Sequence, residues 1–476
     1  MPCDKKRCTF RNSLKKGGTR PMENREFIFE SICEFIEQKQ PNKILESLEA
    51  LQPQDIAEIL NDDYFEQKQK NLIFRLLKKD LAAQVFVELD NDMQENLIKG
   101  FSDNELHQML NELFVDDAVD IIEEMPATVV KRILKNCTKD MRGDINDILA
   151  FDKDSAGSVM TPEYIALKSD MTVKEAFERI RKEGIDSETV YTCYVLDRSR
   201  HILGVITVRE LLLAQEDAII KDIMNENVVF VETVDDKEEA AKILKKYDFL
   251  AVPVVDKEKR LVGIITVDDA IDVLVEETTE DMAKMAAVTP IDQSYFKTGV
   301  FKHSLSRILW LIVLMISATV TGFIITYYEN AFQAVPLLIA CLPLLMGTGG
   351  NCGSQASTMI IRGLAVDEMS TRDVLKVWFK EIRISLVVGV VLAVVNTIRV
   401  FLLYGFSHEI ILLAITNALA LLFTVSLAQT LGCLLPIGAK AIKLDPAIMA
   451  APLITTIVDA LSVTVFFACA VWVFGM

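Results

Sequence analysis

Short amphipathic segments fill the first third of the chain. In residues 27–149, apolar residues recur at helical spacing in runs such as D-I-A-E-I-L at residues 55–60. Acidic residues begin these runs, and Pro53 and Pro126 interrupt them. Helices of this length, each with one apolar face, bury that face against their neighbours. The pattern predicts an α-superhelical domain over residues 23–150 without catalytic residues.

Five long apolar segments follow, each near the roughly 20 residues that an α-helix needs to cross a bilayer. They cover residues 308–327, 334–361, 384–404, 410–435 and 447–474. The loops after the second and fourth segments contain seven Lys or Arg, whereas residues 328–333 and 405–409 contain none. Because basic loops stay in the cytoplasm, the N-terminal domains are predicted to be cytoplasmic and the C-terminus outside. We expect a multi-pass protein of the plasma (inner) membrane.

The second apolar segment contains an unusual polar stretch. Residues 347–357 read G-T-G-G-N-C-G-S-Q-A-S, with four glycines and two amides, Asn351 and Gln355. Irregular backbone at membrane depth is tolerated where protein or a water cavity surrounds it, and small residues let helices approach closely. The stretch therefore predicts an interrupted helix, with cavity lining and tight packing as equal alternatives.

An internal repeat lies before the membrane segments. Residues 194–210 match residues 253–269, and the pairs Asp197/Asp256, Gly204/Gly263 and Thr207/Thr266 are each 59 residues apart. Each copy predicts a strand, a turn, a second strand and a helix start. This arrangement resembles a tandem pair of CBS (α/β) domains, at residues 151–215 and 216–275. CBS pairs often bind adenine nucleotides, which makes ATP a candidate ligand with Arg209, Glu210 and Phe249 as candidate contacts; an ordinary helix start and core aromatic are the alternative.

Charge is distributed as unevenly as hydrophobicity. The whole chain carries −18, residues 300–476 carry +2, and residues 21–299 carry −26 once the basic first twenty residues are set apart. Such an acidic part would repel nucleic acid and favours cations as partners. The basic tail of residues 1–22 lacks the apolar run of a secretory signal and is predicted to be disordered.

Acids form a stripe on the connector that precedes the first membrane segment, residues 268–300. Asp269, Asp272, Glu276 and Glu280 recur at spacings of three and four, so they share one helix face. Carboxylates without interleaved His or Cys favour Mg²⁺ or Ca²⁺ over zinc, and the chain has no D-x-D-x-D-G loop for calcium. Asp116 and Asp120 also share a helix face. Solvated helix faces and favourable dipole contacts are the alternatives.

The last apolar segment carries a single charged side chain, Asp459. Burying a charge near the middle of a membrane span costs roughly 2.5 to 3.5 kcal/mol on insertion scales, so such a residue usually faces a water-filled path. Asp459 is therefore predicted to lie on an ion path. The alternative is a hydrogen-bonded acid that helps helices to pack.

Four motifs in this order resemble the MgtE family of magnesium channels over nearly the whole chain. They are V-M-T-P-E (159–163), G-G-N-C-G-S-Q (349–355), L-D-P-A (444–447) and P-L-I-T-T-I-V-D (452–459). The resemblance implies a multidomain membrane protein with a cytosolic helical domain, a CBS pair, a connecting "plug" helix and a five-helix domain over residues 301–476. It implies a homodimer in which paired Asp459 side chains hold a hydrated Mg²⁺, supported by Asp445, Pro452 and Asn351.

The resemblance also implies a gate closed by cytosolic Mg²⁺. Its candidate ligands are acids of the helical domain, the second CBS domain and the connecting helix: Asp116, Asp120, Asp236, Glu238, Asp248, Asp269, Asp272, Glu277 and Glu280. The alternatives are a carrier that exchanges Mg²⁺ for Na⁺ or H⁺, and a membrane scaffold that senses nucleotides. An enzyme is not expected, because the four histidines form no H-E-x-x-H motif.

Overall fold

The computed structural model describes residues 25–62, 64–185, 187–291, 295, 298–329, 335–366, 368–449 and 451–475. The described residues form two compact units, and the boundary between them lies between Leu274 and Val275. The unit before this boundary is called the cytosolic unit, and the unit after it is called the membrane unit. The predicted disorder of residues 1–22 falls outside the described residues.

The first part of the cytosolic unit is helical, as the amphipathic pattern predicts. Its described helices are α1 (Arg25–Glu37), α2 (Pro41–Leu48), α3 (Pro53–Asn61), α4 (Gln67–Leu76), α5 (Lys79–Val87), α6 (Asn91–Gly100), α7 (Asp103–Leu110), α8 (Val115–Glu124), α9 (Ala127–Asn136) and α10 (Lys139–Ile148). Side-chain hydrogen bonds and proline residues explain where several of these helices begin. Ser102 and Glu105 form a reciprocal capping box before α7, and Pro41 and Pro53 occupy first helical positions.

Two three-stranded sheets follow, and both have the same topology. The first contains β1 (Ala166–Lys168), β2 (Thr192–Leu196) and β3 (Ile202–Thr207), with α11 (Val173–Glu183), α12 (Val208–Leu213) and α13 (Ile220–Ile223); the second contains β4 (Val231–Glu232), β5 (Ala251–Val255) and β6 (Leu261–Thr266), with α14 (Lys237–Tyr247). In each sheet the first strand runs parallel to the second and the second runs antiparallel to the third. The sequence repeat is therefore a structural repeat.

Each repeat also contributes a short segment that pairs with the sheet of the other repeat. Thr161 exchanges two backbone hydrogen bonds with Ile264 of β6, and Asn225 exchanges two with Val205 of β3. These pairing segments pack directly against Gly204 and Gly263, the glycines found at matching positions of the two repeats. A Cβ atom on Gly263 would lie 2.8 Å from the Met160 sulfur, and one on Gly204 would lie 2.8 Å from the Met224 sulfur. Glycine at both positions is thus required by close approach.

The hydrophobic core of the cytosolic unit is continuous from the helical domain into the second repeat. Helical-domain residues such as Phe86 and Ile145 belong to the same buried cluster as Val252 and Ile265, whereas Ile206 belongs to a separate core in the first repeat. The helical domain is consequently packed as one body with the second CBS repeat.

One long helix leads out of the second repeat into the membrane unit. This connecting helix, α15 (Val267–Met285), begins directly after β6, and its first turn contains Asp268 and Asp269. The predicted acidic connecting helix is therefore present, and within the described residues it ends at Met285.

Five helices long and apolar enough to cross a bilayer are found in the described residues of the membrane unit. They are α16 (Val300–Tyr327), α17 (Leu337–Ala365), α18 (Val374–Tyr404), α19 (His408–Ala441) and α20 (Ala451–Phe474), with 3₁₀ turns at Thr371–Asp373 and Pro446–Met449. Helix α18 starts ten residues before the predicted segment, because hydropathy excludes its first turns although the basic residues there are helical. Helices α17, α19 and α20 pack together in the centre of the unit.

We expect Gly263→Ala to destabilise the CBS pair by about 1–3 kcal/mol, because its methyl group would overlap Met160 and the Thr161 carbonyl. Hydrogen exchange of the Ile264 amide in the full chain measures the loss. Gly143→Ala is the matched control: a Cβ there meets nothing within 4 Å, and alanine suits the interior of α10 better than glycine. Equal protection in the two variants would contradict the close-approach argument.

Candidate functional site

Asp459 lies in the first half of α20 and is half-buried. Hydroxyl groups on the same helix bond back to its own carbonyls, as Thr456 does to Pro452 (2.9 Å) and Ser462 to Val458 (2.6 Å). In contrast, no group in the described part of the chain forms a hydrogen bond or ion pair with the Asp459 carboxylate. No contact of the Asp459 carboxylate among the described residues thus supports the packing alternative for this acid.

Helix α17 runs without a break from Leu337 to Ala365, so the predicted interruption at residues 347–357 is wrong. The physical reason is close packing. A Cβ on Gly349 would lie 2.7 Å from the Ser462 hydroxyl, and one on Gly353 would lie 2.8 Å from the Ile454 side chain, both on α20. The glycines let side chains of α20 pack directly against the backbone of α17, so the two helices lie close together and α17 stays helical.

One polar face of α17 is exposed in the chain. Asn351 and Gln355 are four residues apart, lie on one face of the helix and are both exposed. The opposite face contains packing glycines, such as Gly353 against Ile454. Amide groups at this depth need polar partners or water, since hydrocarbon offers none.

Asp445 lies in the turn that leads into α20. Its Oδ1 atom accepts a hydrogen bond from the Ala447 backbone amide at 2.8 Å, and its Oδ2 atom lies 2.7 Å from the Lys284 ammonium. Pro452 follows in the first turn of α20 and accepts the Thr456 hydroxyl. Asp445 and Pro452 therefore shape the start of α20, on which Asp459 lies.

An acidic cluster joins the helical domain to the CBS pair within the cytosolic unit. Burial and the nearby charge of Asp269 raise the pKa of Asp116 well above its usual value and that of Asp117 to about 7. Burial likewise raises the pKa of Asp269 to about 6, although Thr266 donates a 2.6 Å hydrogen bond to it. Glu188 has its pKa raised to about 8 by burial and by Asp117 and Asp269.

Four members of this cluster are absent from the sequence-based candidates: Asp117, Glu163, Glu188 and Asp268. Glu163 bridges two domains, because its Oε2 atom accepts hydrogen bonds from the Thr161 hydroxyl (2.7 Å) and from the backbone amide of Val115 (3.1 Å). It belongs to the V-M-T-P-E motif, which was the one signal available in the sequence. No sequence motif points to Glu188, and its buried Oε2 atom has no hydrogen-bond partner among the described residues.

The remaining predicted regulatory acids are spread over the cytosolic part. Asp236 caps the start of α14, Glu238 pairs with Lys242 at 2.9 Å, and Asp248 takes a left-handed conformation at the other end of that helix. The eleven residues of α14 span about 16 Å, so Asp248 cannot share one ion with Asp236 and Glu238 in a single chain. Asp120 and Asp272 are exposed, Glu277 is half-buried, and Glu280 pairs with Lys284. Among the described residues, no three His, Cys, Asp or Glu side chains are grouped so that they could hold a metal ion.

The predicted nucleotide contacts have local structural roles. Glu210 forms a capping box with Thr207 at the start of α12 (2.7 and 3.2 Å), and Phe249 stacks on Tyr247 with ring centroids 5.3 Å apart. Arg209 is exposed beside this cap. The geometry suits the ordinary helix start and leaves the Arg209 side chain accessible.

Three family models match four regions of the chain. The model described as "MgtE intracellular N domain" matches residues 51–154, the CBS domain model matches residues 156–217 and 220–276, and the MgtE model described as "Divalent cation transporter" matches residues 342–469. Magnesium transporter MgtE of Thermus thermophilus is 34% identical over 444 residues, which are 92% of this chain and 97% of the relative. The chain belongs to the MgtE family. The predicted resemblance and the multidomain membrane fold are confirmed.

Other MgtE proteins are also similar to the chain. Magnesium transporter MgtE of Bacillus subtilis is 31% identical and covers 89% of this chain and 92% of its own. Among solved structures, the cytosolic domain of the Mg²⁺ channel MgtE in complex with ATP is 34% identical, with a TM-score of 0.48 over 52% of this chain and 99% of that chain. The soluble part of a magnesium transporter is 30% identical, with a TM-score of 0.49 over 53% and 99%.

We expect the stability of the cytosolic unit to fall as pH rises from 6 to 8 when divalent cations are absent. A carboxyl group whose pKa is raised on folding keeps a proton that the unfolded chain has already lost above about pH 4, so folding becomes less favourable up to the raised pKa. Asp117 and Glu188, with pKa values of about 7 and about 8, should each contribute about 1–2 kcal/mol over this range.

Asp117→Asn should therefore raise stability at pH 8 and reduce its pH dependence, measured by denaturant unfolding of the full chain in chelator. Asp170→Asn, which alters an exposed acid in the turn before α11, is the control. A variant Asp117→Asn with the pH profile of the parent protein would contradict the electrostatic argument.

Proposed function

We propose that this MgtE family member is a Mg²⁺-selective channel that takes up magnesium across the plasma membrane. The observation that carries the proposal is the Asp459 carboxylate, which lies within a membrane helix without a bonding partner among the described residues. An acid in this environment usually faces water and ions. The named magnesium transporters of the family support Mg²⁺ as the ion.

The pore is formed between two copies of the chain. A second copy would place two Asp459 carboxylates across one path, and two carboxylates suit an ion that keeps most of its water ligands. The exposed amides of Asn351 and Gln355 support this assembly, since a water-filled path or a partner subunit would satisfy them. Lipid chains cover the apolar side chains of α16, such as Phe301 and Phe323. The positive-inside pattern puts the C-terminus outside.

Cytosolic Mg²⁺ closes the channel by binding the acids of the cytosolic unit. The cluster around Asp116, Asp117 and Asp269 supports this role, because acids that raise one another's pKa gain stability from a divalent cation. Moving a two-state gate from 1:99 to 99:1 needs about 5.5 kcal/mol, and one ion at ten times its Kd that binds only the closed state contributes about 1.4 kcal/mol. Roughly four ions would suffice, which fits acids distributed over several positions.

ATP is the proposed ligand of the CBS pair. The exposed guanidinium of Arg209 supports phosphate binding near the start of α12, and Phe249 is the proposed aromatic contact for the base. Glu210 already accepts bonds from Thr207, so it would need to share its carboxylate with the ribose hydroxyl groups.

Asp459→Asn should reduce Mg²⁺ flux into proteoliposomes to background, because it removes the charge while keeping the side-chain size. A Mg²⁺-sensitive dye inside the vesicles measures the flux, with and without Na⁺ and H⁺ gradients. Glu409→Gln, at the exposed start of α19, is the matched control. Persisting flux in Asp459→Asn would exclude the pore role, and flux that requires a counter-ion gradient would indicate a carrier.

Millimolar Mg²⁺ should protect residues 21–299 of the full chain from proteolysis, since neutralised acids no longer repel each other. The double variant Asp117→Asn, Asp269→Asn should be protected without Mg²⁺ and should respond less to its addition. Mg²⁺-independent cleavage of the parent protein would exclude the sensor, and Asp170→Asn again serves as the control.

A further inference from the structure

One lysine interrupts the acidic face of the connecting helix. Lys284 is the single Lys or Arg between Val267 and Met285, and it lies one residue before the end of α15. Its ammonium group lies 2.8 Å from Glu280 Oε1, one turn earlier on the same helix, and 2.7 Å from Asp445 Oδ2 in the turn before α20. One cation is thus shared by two carboxylates from distant parts of the sequence.

The shared ion pair is shielded from solvent more than ordinary surface pairs. The exposed fractions of the Lys284 and Asp445 side chains are 26% and 29%. Burial lowers the pKa of Lys284, but the hydrogen bonds and charges of Asp445 and Glu280 outweigh it and leave the pKa above its usual value. The lysine is therefore charged at every physiological pH. Charge-assisted hydrogen bonds of this kind are stronger than neutral ones.

Asp445 connects this ion pair to α20. While Oδ2 contacts Lys284, Oδ1 accepts the Ala447 amide and so fixes the 3₁₀ turn Pro446–Met449. The Ser357 hydroxyl of α17 donates to the Met449 carbonyl at 2.9 Å and holds the end of the same turn. The turn leads directly into the helix that carries Asp459. A continuous series of contacts, from Glu280 to Lys284, from Lys284 to Asp445 and from Asp445 to Ala447, therefore links the connecting helix to the start of α20.

We infer that Lys284 is a positioning residue, a tethered cation that fastens the end of the connecting helix to the turn before α20. It occupies the place between Glu280 and Asp445 that a divalent cation would otherwise take. The two carboxylate oxygens are at most about 5.5 Å apart, the sum of their distances to the nitrogen, so without the ammonium they would repel each other. Lys284 thus makes this attachment independent of Mg²⁺.

Hydrogen exchange of residues 275–285 in the full chain tests the attachment directly. In chelator, Lys284→Met should exchange about tenfold faster than the parent protein, the factor expected for losing a charge-assisted bond. Lys284→Arg should restore slow exchange, because it retains the charge. Lys380→Met removes an exposed lysine at the start of α18 and should leave exchange unchanged.

Adding millimolar Mg²⁺ distinguishes between two roles of Lys284, a tethered cation that Mg²⁺ can replace and a purely structural lysine. Exchange in Lys284→Met should return to the parent rate, because Mg²⁺ can then bridge Glu280 and Asp445. Asp445→Asn keeps the Oδ1 atom that caps Ala447 but removes one bridging charge, so its exchange should be fast in chelator and stay fast with Mg²⁺. Unchanged exchange in Lys284→Met, or no recovery with Mg²⁺, would overturn the inference, as would recovery in Asp445→Asn.

The consequence for transport rests on the proposed function. If the connecting helix controls access to α20, Lys284→Met should show a several-fold greater Mg²⁺ flux than the parent protein at low internal Mg²⁺ and an equal flux at millimolar internal Mg²⁺, with Lys284→Arg behaving as the parent. Flux equal to that of the parent at low Mg²⁺ would overturn the gating role of Lys284. Absence of flux in the parent protein would instead exclude the proposed function and leave the exchange result standing.

Discussion

Negative charge that is held close together with few counter-charges is the constraint on which this molecule depends. In the cytosolic unit, burial and mutual repulsion raise the pKa values of Asp116, Asp117, Glu188 and Asp269. Hydrophobic packing opposes this repulsion, because the core that joins the helical domain to the second CBS repeat keeps the acids near one another. A soluble cation can change this balance, and an apolar ligand cannot.

In the membrane unit, small residues rather than charges determine how closely the helices pack. Close contact between α17 and α20 requires Gly349 and Gly353, and that contact fixes where the polar face of α17 lies relative to Asp459 on the neighbouring helix. Substituting larger residues would separate the two helices before it altered any ionisable group. The glycine motif therefore acts through helix distance, and the acid acts through charge.

Much of the fold could be predicted from the sequence because its signals are local. Hydropathy predicts five membrane helices, a 59-residue repeat predicts two similar sheets, and an isolated acid draws attention to Asp459. The failures involve contacts between distant segments. The hydrogen bond from Val115 to Glu163 and the ion pair between Lys284 and Asp445 produce no periodic pattern in the sequence. The glycine stretch predicts a break in the helix because its packing partner on α20 is about 100 residues away in the sequence.

The reciprocal exchange between the two CBS repeats has a consequence for synthesis. Thr161 requires Ile264 for its backbone hydrogen bonds, so this segment of the first repeat stays unpaired until β6 has left the ribosome, and the edge of β3 stays unpaired until Asn225 has followed. Neither repeat is then an independent folding unit, because each sheet is complete only once the other repeat has supplied its segment. A ribosome that stalls after β3 but before Asn225 has emerged would release a chain whose β3 edge is unpaired, and unpaired strand edges favour aggregation.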